Sequence, residues 1–229
     1  MDCGIPLLSD VLHHVSARKG KLLRPRLVLL AAGAGGANPR SDSAVMLAAA
    51  VELIHNASLL HDDVVDMSDE RRGQPSVNSL FGNKAAILSG DYLLARAMEL
   101  VDRSGAAQAH HTVLSAVRSM SEGELLQLSA NKNEAPSRAL YLDIIGRKTA
   151  SLMAASCTLG CELLGVFGYN YGMAFQINDD IADGDLFPKE LTPADLLRQY
   201  CDKALAALQS VPSSPYRDAI RNMAEQLCP

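Results

Sequence analysis

The chain predicts an all-α fold, a single domain of about eight to ten helices packed as a bundle. Three observations carry that expectation. Apolar residues recur at spacings of three and four nearly throughout. Aromatic residues make up only 4% and Trp is absent, while hydrophobic residues reach 48% with Ala and Leu plentiful, a balance that favours helices over strands. No segment sustains period-two alternation, and no hairpin dipeptide lies between β-branched runs.

Taken in order, residues 7–19 place apolar side chains at 7, 8, 11, 12 and 15, one face of a helix. Residues 22–34 are apolar almost all round and read as a buried helix. Pro39-Arg40-Ser41 punctuates the chain, and Ser41 is placed to cap a long helix over 42–66. Residues 67–82 are polar and hold Gly73, Pro75 and Gly82, so they form a loop. Helix resumes over 83–102. Ser104 is predicted to cap 105–128, and Ser137 to cap 138–164. Residues 168–182 form another apolar helix. Thr192-Pro193-Ala194-Asp195 combines an N-cap, a proline in the first helical position and an acid in the first turn, and Ser214-Pro215 opens the last helix in the same way.

The 229 residues carry 21 Lys+Arg against 26 Asp+Glu, a net charge of −5. The apolar fraction excludes disorder, and the acidity argues against a nucleic-acid partner, which calls for a basic face. Cysteines stand at 3, 157, 161, 201 and 228, an odd count without CxxC spacing. A disulfide framework or zinc ribbon is therefore not expected, and a reducing compartment fits better. Cys157 and Cys161 read as small buried apolar side chains. Met1-Asp2-Cys3-Gly4 lacks the basic start of a signal peptide. The longest uncharged apolar run, 27–37, is broken by three glycines and falls short of the ~20 residues that span a bilayer. A soluble cytoplasmic protein without a transmembrane segment is the expectation.

Two constellations break the bland pattern. His61-Asp62-Asp63-Val64-Val65-Asp66 and Asn178-Asp179-Asp180-Ile181-Ala182-Asp183 each place D-D-x-x-D at the C-terminal end of an apolar helix. Asp62 and Asp66 then project from one face, one turn apart, as do Asp179 and Asp183. Like charges at this spacing repel, and carboxylates at a helix C-terminus oppose its dipole. A chain that accepts this twice points to a compensating cation. Oxygen-only carboxylate pairs suit hard ions, above all Mg²⁺, which keeps waters and bridges one or two carboxylates to phosphates. Basic residues add the anion side. Lys21 and Arg24 lie three apart at a helix start, Arg71-Arg72 follows the first acidic motif, and Lys148-Thr149 sits inside an apolar helix. Together they supply phosphate recognition, Arg as a planar fork and Lys as a point charge.

These residues carry a family likeness. The runs GKLLRP, ELIHNASLLHDDVVD, RRG, FGNKAAILSGDYLL, EGELLQL, GRKTASL and AFQINDD, in this order, resemble the trans-polyprenyl diphosphate synthases, most of all the bacterial medium- and long-chain enzymes that make quinone side chains. The resemblance implies an isoprenoid-synthase bundle around a central cavity, spanning 1–229 as one domain. It implies Mg²⁺-dependent head-to-tail condensation of an allylic diphosphate (geranyl, farnesyl or geranylgeranyl) with isopentenyl diphosphate, in a homodimer. By the same resemblance Asp62, Asp66 and Asp179 hold three Mg²⁺, with Asp63, Asp180 and Asp183 supporting them. Arg71, Lys148 and Gln127 contact the allylic diphosphate, and Lys21, Arg24, His55 and Arg72 hold isopentenyl diphosphate. Thr149 and Gln176 face the reacting carbons.

His55 lies seven residues before Asp62, about two turns, so the two share a face. The growing tail is expected to pass Ala57 and Ser58, one turn below Asp62. Both are small, so products longer than C15 are expected, with a floor near Ala95, Met98 or Leu125. The chain departs from the family pattern near 165–167, where Val166 alone spans a normally longer join, and at 184–193, where a lysine-bearing GKxxGKD segment is expected and only Lys189 stands. Two readings compete for these places, mobile loops absent from the 229 residues or a true deletion in an inactive or regulatory relative; the intact acidic and basic motifs favour the first. A regulatory subunit and a terpene cyclase of the same fold are the alternative functions. The isopentenyl-binding residues argue against the cyclase, and the two complete acidic motifs against the subunit.

Overall fold

The long apolar segment after Ser41 becomes a 24-residue helix. In a computed structural model, which describes residues 4–17, 20–71, 73–130, 135–185, 187–189 and 192–228, helix α3 runs over Asp42–Val65. Its start is set as expected: Ser41 Oγ accepts the Ala44 N–H at 3.3 Å. Leu47, Val51, Ile54 and Leu60 on it are buried. By length and composition α3 could cross a membrane; here those apolar residues face the bundle.

The other α-helices are α1 (Pro6–Ala17), α2 (Leu23–Ala34), α4 (Val77–Phe81), α5 (Asn83–Arg103), α6 (Ala109–Ser129), α7 (Arg138–Ile145), α8 (Ser151–Gly160), α9 (Gly165–Asp183), α10 (Pro193–Ala207) and α11 (Pro215–Glu225). The most extensive packing is α3 on α5, then α9 on α10; α8 sits between α2 and α9. Buried side chains form several apolar clusters between these layers. One gathers Leu27, Met153, Phe167, Leu208 and Ile220; another joins Val28, Val51, Ile54, Val101, Val113 and Leu152.

Most boundaries follow the caps read from sequence. Ser137 Oγ accepts the Leu140 N–H at 3.3 Å and Ser214 Oγ the Arg217 N–H at 3.1 Å, each satisfying a donor that the first helical turn leaves without an internal partner. Thr192 stands at the cap of α10 with proline in the first turn, but its side chain makes no cap hydrogen bond.

Four expectations change. Ser104 ends α5 rather than starting α6: its hydroxyl donates to Val101 O at 2.6 Å, and α6 begins only at Ala109. The 67–82 loop contains a two-residue antiparallel ladder, Glu70–Arg71 against Gln74–Pro75, followed by the short α4. The stretch expected as one helix from 138 holds a π-helical turn, Gly146–Ala150, between α7 and α8, then stops at Gly160, and α9 starts already at Gly165. Finally, Cys201 and Cys228 form a disulfide, although free thiols were expected. The bundle brings α10 and the chain end together across 27 residues, a proximity that spacing alone does not reveal. Cys157 is free and buried, and Cys161 is free and only half-buried.

Candidate active site

Both acidic motifs lie at the C-terminal ends of their helices. In α3 the last turn carries Asp62 and Asp63, with Asp66 as the C-cap. In α9 the end carries Asp179, Asp180 and Asp183, and Gly184 terminates the helix at φ 74°, a left-handed conformation that glycine adopts without a Cβ clash. Between the two helices lies a cavity of ≈ 1220 Å³, larger than the roughly 300–1,000 Å³ of ordinary small-ligand pockets.

The cavity gathers most of the residues singled out from sequence. Lys21, Arg24, His55, Ser58, Asp62, Asp63, Asp66, Arg71, Lys148, Thr149, Gln176 and Asp179 all line it. Along α3 its wall extends from Glu52 to Asp66, roughly 21 Å of helix at 1.5 Å per residue. Leu12, Val15, Leu53, Leu94, Val117 and Met120 supply apolar lining. Charged groups and a long apolar wall therefore share one space.

Within each acidic pair the two neighbours do different things. Asp63 is buried and accepts from Arg71 Nε at 2.5 Å, so its charge is matched inside the protein. Asp62 has no such partner among the described residues; burial raises its carboxyl to about 6, opposed first by the Lys148 charge and helped by Glu124 and Asp66. On α9, burial raises Asp179 as well, against the pull of Lys21. Asp180 does not line the cavity. Its Oδ1 accepts from Gln176 Nε2 and its Oδ2 from the Tyr141 hydroxyl, both at 2.7 Å. Burial raises its carboxyl and these two hydrogen bonds lower it.

Lys148 and Thr149 enter through the π-helical turn. Such turns rotate the following side chains relative to an α-helix and are frequent at functional sites. Lys148 pairs with Glu124 on α6, and its Nζ donates to Gln127 Oε1 at 3.4 Å. Thr149 Oγ1 donates to Gln176 Oε1 at 2.7 Å.

Four sequence expectations need relocation. Ala57 is fully buried in an apolar cluster with Val11, Leu60, Val77, Ala86 and Leu93 and is no part of the cavity wall, whereas Ser58 is. The reason is rotation: at 100° per residue Ser58 stands about 40° from Asp62 and Ala57 about 140° away. Asp183 is exposed outside the cavity and acts on Asp179 only through its charge. Gln127 is not part of the cavity wall and accepts from Lys148 Nζ at 3.4 Å. Asp180 points to the core as described. Arg72 lies outside the described residues. Of the suggested floor residues, Leu125 lines the cavity, Met98 packs in the core beside it, and Ala95 is exposed.

Sequence reasoning missed Glu124 and Tyr141. Glu124 stands three residues before Gln127 in EGELLQL, where helical spacing places it on the same side. Tyr141 had no such signal, since its partner Asp180 lies 39 residues away.

The donor set fits a hard divalent cation. All candidate ligands are carboxylate oxygens, and burial raises the Asp62 and Asp179 carboxyls, against the pull of Lys148 and Lys21 respectively. Among the described residues no three acidic, His or Cys side chains converge on one point. An ion here would take one or two carboxylates and fill its shell with water or phosphate oxygens, the coordination habit of Mg²⁺.

A polyprenyl synthetase family model matches residues 5–193. The chain belongs to the polyprenyl synthetase family. It is 40% identical over 188 residues to "Heptaprenyl diphosphate synthase component 2" of Geobacillus stearothermophilus, covering 78% of this chain and 58% of that protein. The chain thus spans less than two thirds of that relative's length. It is 30% identical to the octaprenyl diphosphate synthase of Escherichia coli over 293 positions, covering 98% of this chain and 90% of that one. Since 293 aligned positions meet only 229 residues, at least 64 positions within the aligned span have no counterpart in this chain. Among solved structures it matches a polyprenyl synthase from Caulobacter crescentus "complexed with calcium and isoprenyl diphosphate" with a TM-score of 0.88 and 31% identity, over 97% of this chain and 89% of that one.

Proposed function

We propose that this family member condenses an allylic diphosphate (geranyl, farnesyl or geranylgeranyl) head-to-tail with isopentenyl diphosphate, giving an all-trans polyprenyl diphosphate longer than C15, a quinone side-chain precursor. The observation that carries the reading is the joint lining of one cavity by both acidic motifs, four cationic side chains and a long apolar wall. The roles of individual residues follow from the family likeness and from that placement.

Asp62, Asp66 and Asp179 are the residues that would hold Mg²⁺, three ions when substrate is bound. Bound Mg²⁺ supplies Lewis acidity toward the diphosphate leaving group. Arg71 and Lys148 hold the allylic diphosphate, with Gln127 behind Lys148. Lys21, Arg24, His55 and Arg72 hold isopentenyl diphosphate. The Thr149 hydroxyl and the Gln176 amide present fixed dipoles to the allylic carbon as positive charge develops there, the kind of preorganised electrostatics that lowers barriers most. The apolar wall past Ser58 takes the growing tail and keeps water from it. The chain works as a soluble cytoplasmic homodimer, and the places where it is shorter than its relatives fall near 165–167 and 184–193.

Incubation with labelled isopentenyl diphosphate, each allylic primer and Mg²⁺ tests the reading. Polymer longer than C15, abolished by Asp62→Ala and by Asp179→Ala, supports it; no incorporation with any primer sinks it. A second reading has support in the "component 2" name of the Geobacillus relative: the chain is one part of a two-protein synthase. In that case the chain alone binds isopentenyl diphosphate in calorimetry yet makes no polymer.

A further inference from the structure

The Gln176 amide sits in the middle of a hydrogen-bonded chain that leads out of the cavity into the core. Its Oε1 accepts from Thr149 Oγ1, and its Nε2 donates to Asp180 Oδ1. The other Asp180 oxygen accepts from Tyr141. All three bonds are 2.7 Å. Tyr141 and Asp180 are each only 7% exposed. The Tyr141 ring is held in an apolar cluster with Ile145, Met173 and Ile177, with the Phe187 ring centroid 5.3 Å away. Neither Tyr141 nor Asp180 lines the cavity.

A glutamine amide has two orientations of similar shape, and its neighbours decide between them. Both Asp180 oxygens accept, one from Gln176 Nε2 and one from the Tyr141 hydroxyl, so Asp180 takes the NH₂ side and turns Oε1 toward Thr149 and the cavity. Reversing the amide would set Oε1 against a carboxylate oxygen and leave the Thr149 hydroxyl facing NH₂. Asp180 in turn has its second oxygen fixed by a hydroxyl on a ring that packing holds in place. The order of the chain is therefore rigid core, Tyr141, Asp180, Gln176, Thr149, cavity.

We propose that Tyr141 and Asp180 are positioning residues that fix the Gln176 amide with its carbonyl oxygen toward the reacting carbon. This rests on the prenyl-transfer reading above, and it deepens it by dividing the second acidic motif: Asp179 serves the cavity, while Asp180 serves Gln176. The partial negative charge of Oε1 then stands ready where the allylic cation forms and requires no reorientation during the reaction.

The test uses Tyr141→Phe, which removes one hydroxyl and keeps the ring, with Gln176→Ala and the double variant. Tyr141→Phe lowers kcat roughly tenfold, less than the ~100-fold or more of losing a direct stabilising donor, and leaves KM for both diphosphates unchanged. In the Gln176→Ala background, Tyr141→Phe has no further effect on kcat, because it acts only through the amide. Any loss of thermal stability from Tyr141→Phe persists in that background, which separates folding from positioning. Independent of turnover, the ¹⁵N-labelled Gln176 side-chain amide exchanges slowly with solvent in the unmodified protein and faster in Tyr141→Phe. Additive effects on kcat, an unchanged kcat in Tyr141→Phe, or fast Gln176 amide exchange in the unmodified protein overturns the proposal. If the unmodified chain makes no polymer, the prenyl-transfer reading falls, and the exchange measurement still decides whether Tyr141 holds the amide.

Discussion

Gly123 on α6 and Lys148 in the π-helical turn approach so closely that a Cβ at 123 would lie 2.7 Å from the Lys148 backbone nitrogen. It would also meet Arg147 Cβ at 2.8 Å. Backbone cannot swing aside as a flexible side chain can, so one element must move. Gly123→Ala is expected to destabilise the fold by about 1–3 kcal/mol through overpacking and to displace Lys148 and Thr149. Thermal unfolding and kcat should fall together, and a variant with both unchanged would show that α6 does not set the turn.

The Arg71–Asp63 pair ties the ladder after α3 to its last turn. Asp63 is 1% exposed and Arg71 about a quarter. Removing the guanidinium leaves a buried carboxylate uncompensated, which costs up to about 3 kcal/mol. Arg71→Ala should therefore lower stability in urea more than Asp63→Asn, which removes the buried charge and leaves only a neutral amide to satisfy. The reverse order would mean that the pair does not matter to folding.

Rotation around α3 separates two neighbours that look alike in sequence. Ser58 faces the cavity, so Ser58→Phe is expected to fold normally and shorten the product. Ala57 is fully buried in the cluster with Leu60 and Leu93, so Ala57→Phe is expected to cost at least about 2 kcal/mol in stability. Product chromatography and thermal melts distinguish the two. Shortening by Ala57→Phe without destabilisation would return it to the cavity wall.

Metal-free stability should depend on Asp62. Its carboxyl titrates at about 6 in the fold against an ordinary 3.8, chiefly because it is buried. The fold binds this proton more tightly than the unfolded chain does. The contribution is fully present below about pH 4 and is lost as pH rises through about 6. Asp62→Asn should flatten that decline in melts run without divalent cations. Mg²⁺ should bind more tightly above pH 6 than below, because it displaces the proton. An identical pH profile in Asp62→Asn would remove Asp62 from this role.

Much of the site was legible because it is local. The two D-D-x-x-D runs, the paired basic residues and the serine caps are patterns over a few positions, and the helix period turns each into a face. The π-helical turn was not legible; it lies against α6 at Gly123 and against Tyr169 on α9, whose hydroxyl stands where a Cβ on Gly146 would go, 2.6 Å away, and these neighbours are distant in the chain. Nor was the Cys201–Cys228 bond, which depends on where the chain end docks against α10.

By itself the sequence determined an all-α bundle, the helix carrying each acidic motif and the sharing of a face by His55 and Asp62. Tertiary structure decided how each member of the two Asp-Asp pairs stands to the cavity. Asp62 and Asp63 both border it, but Asp63 is tied to Arg71; of the second pair Asp179 borders it, and Asp180 turns to Gln176 and Tyr141. A step of one residue rotates a helical side chain by about 100°, so the linear pattern fixes relative directions only. Which direction becomes solvent, cavity or core depends on what packs against the helix, and that partner is supplied by residues distant in the chain.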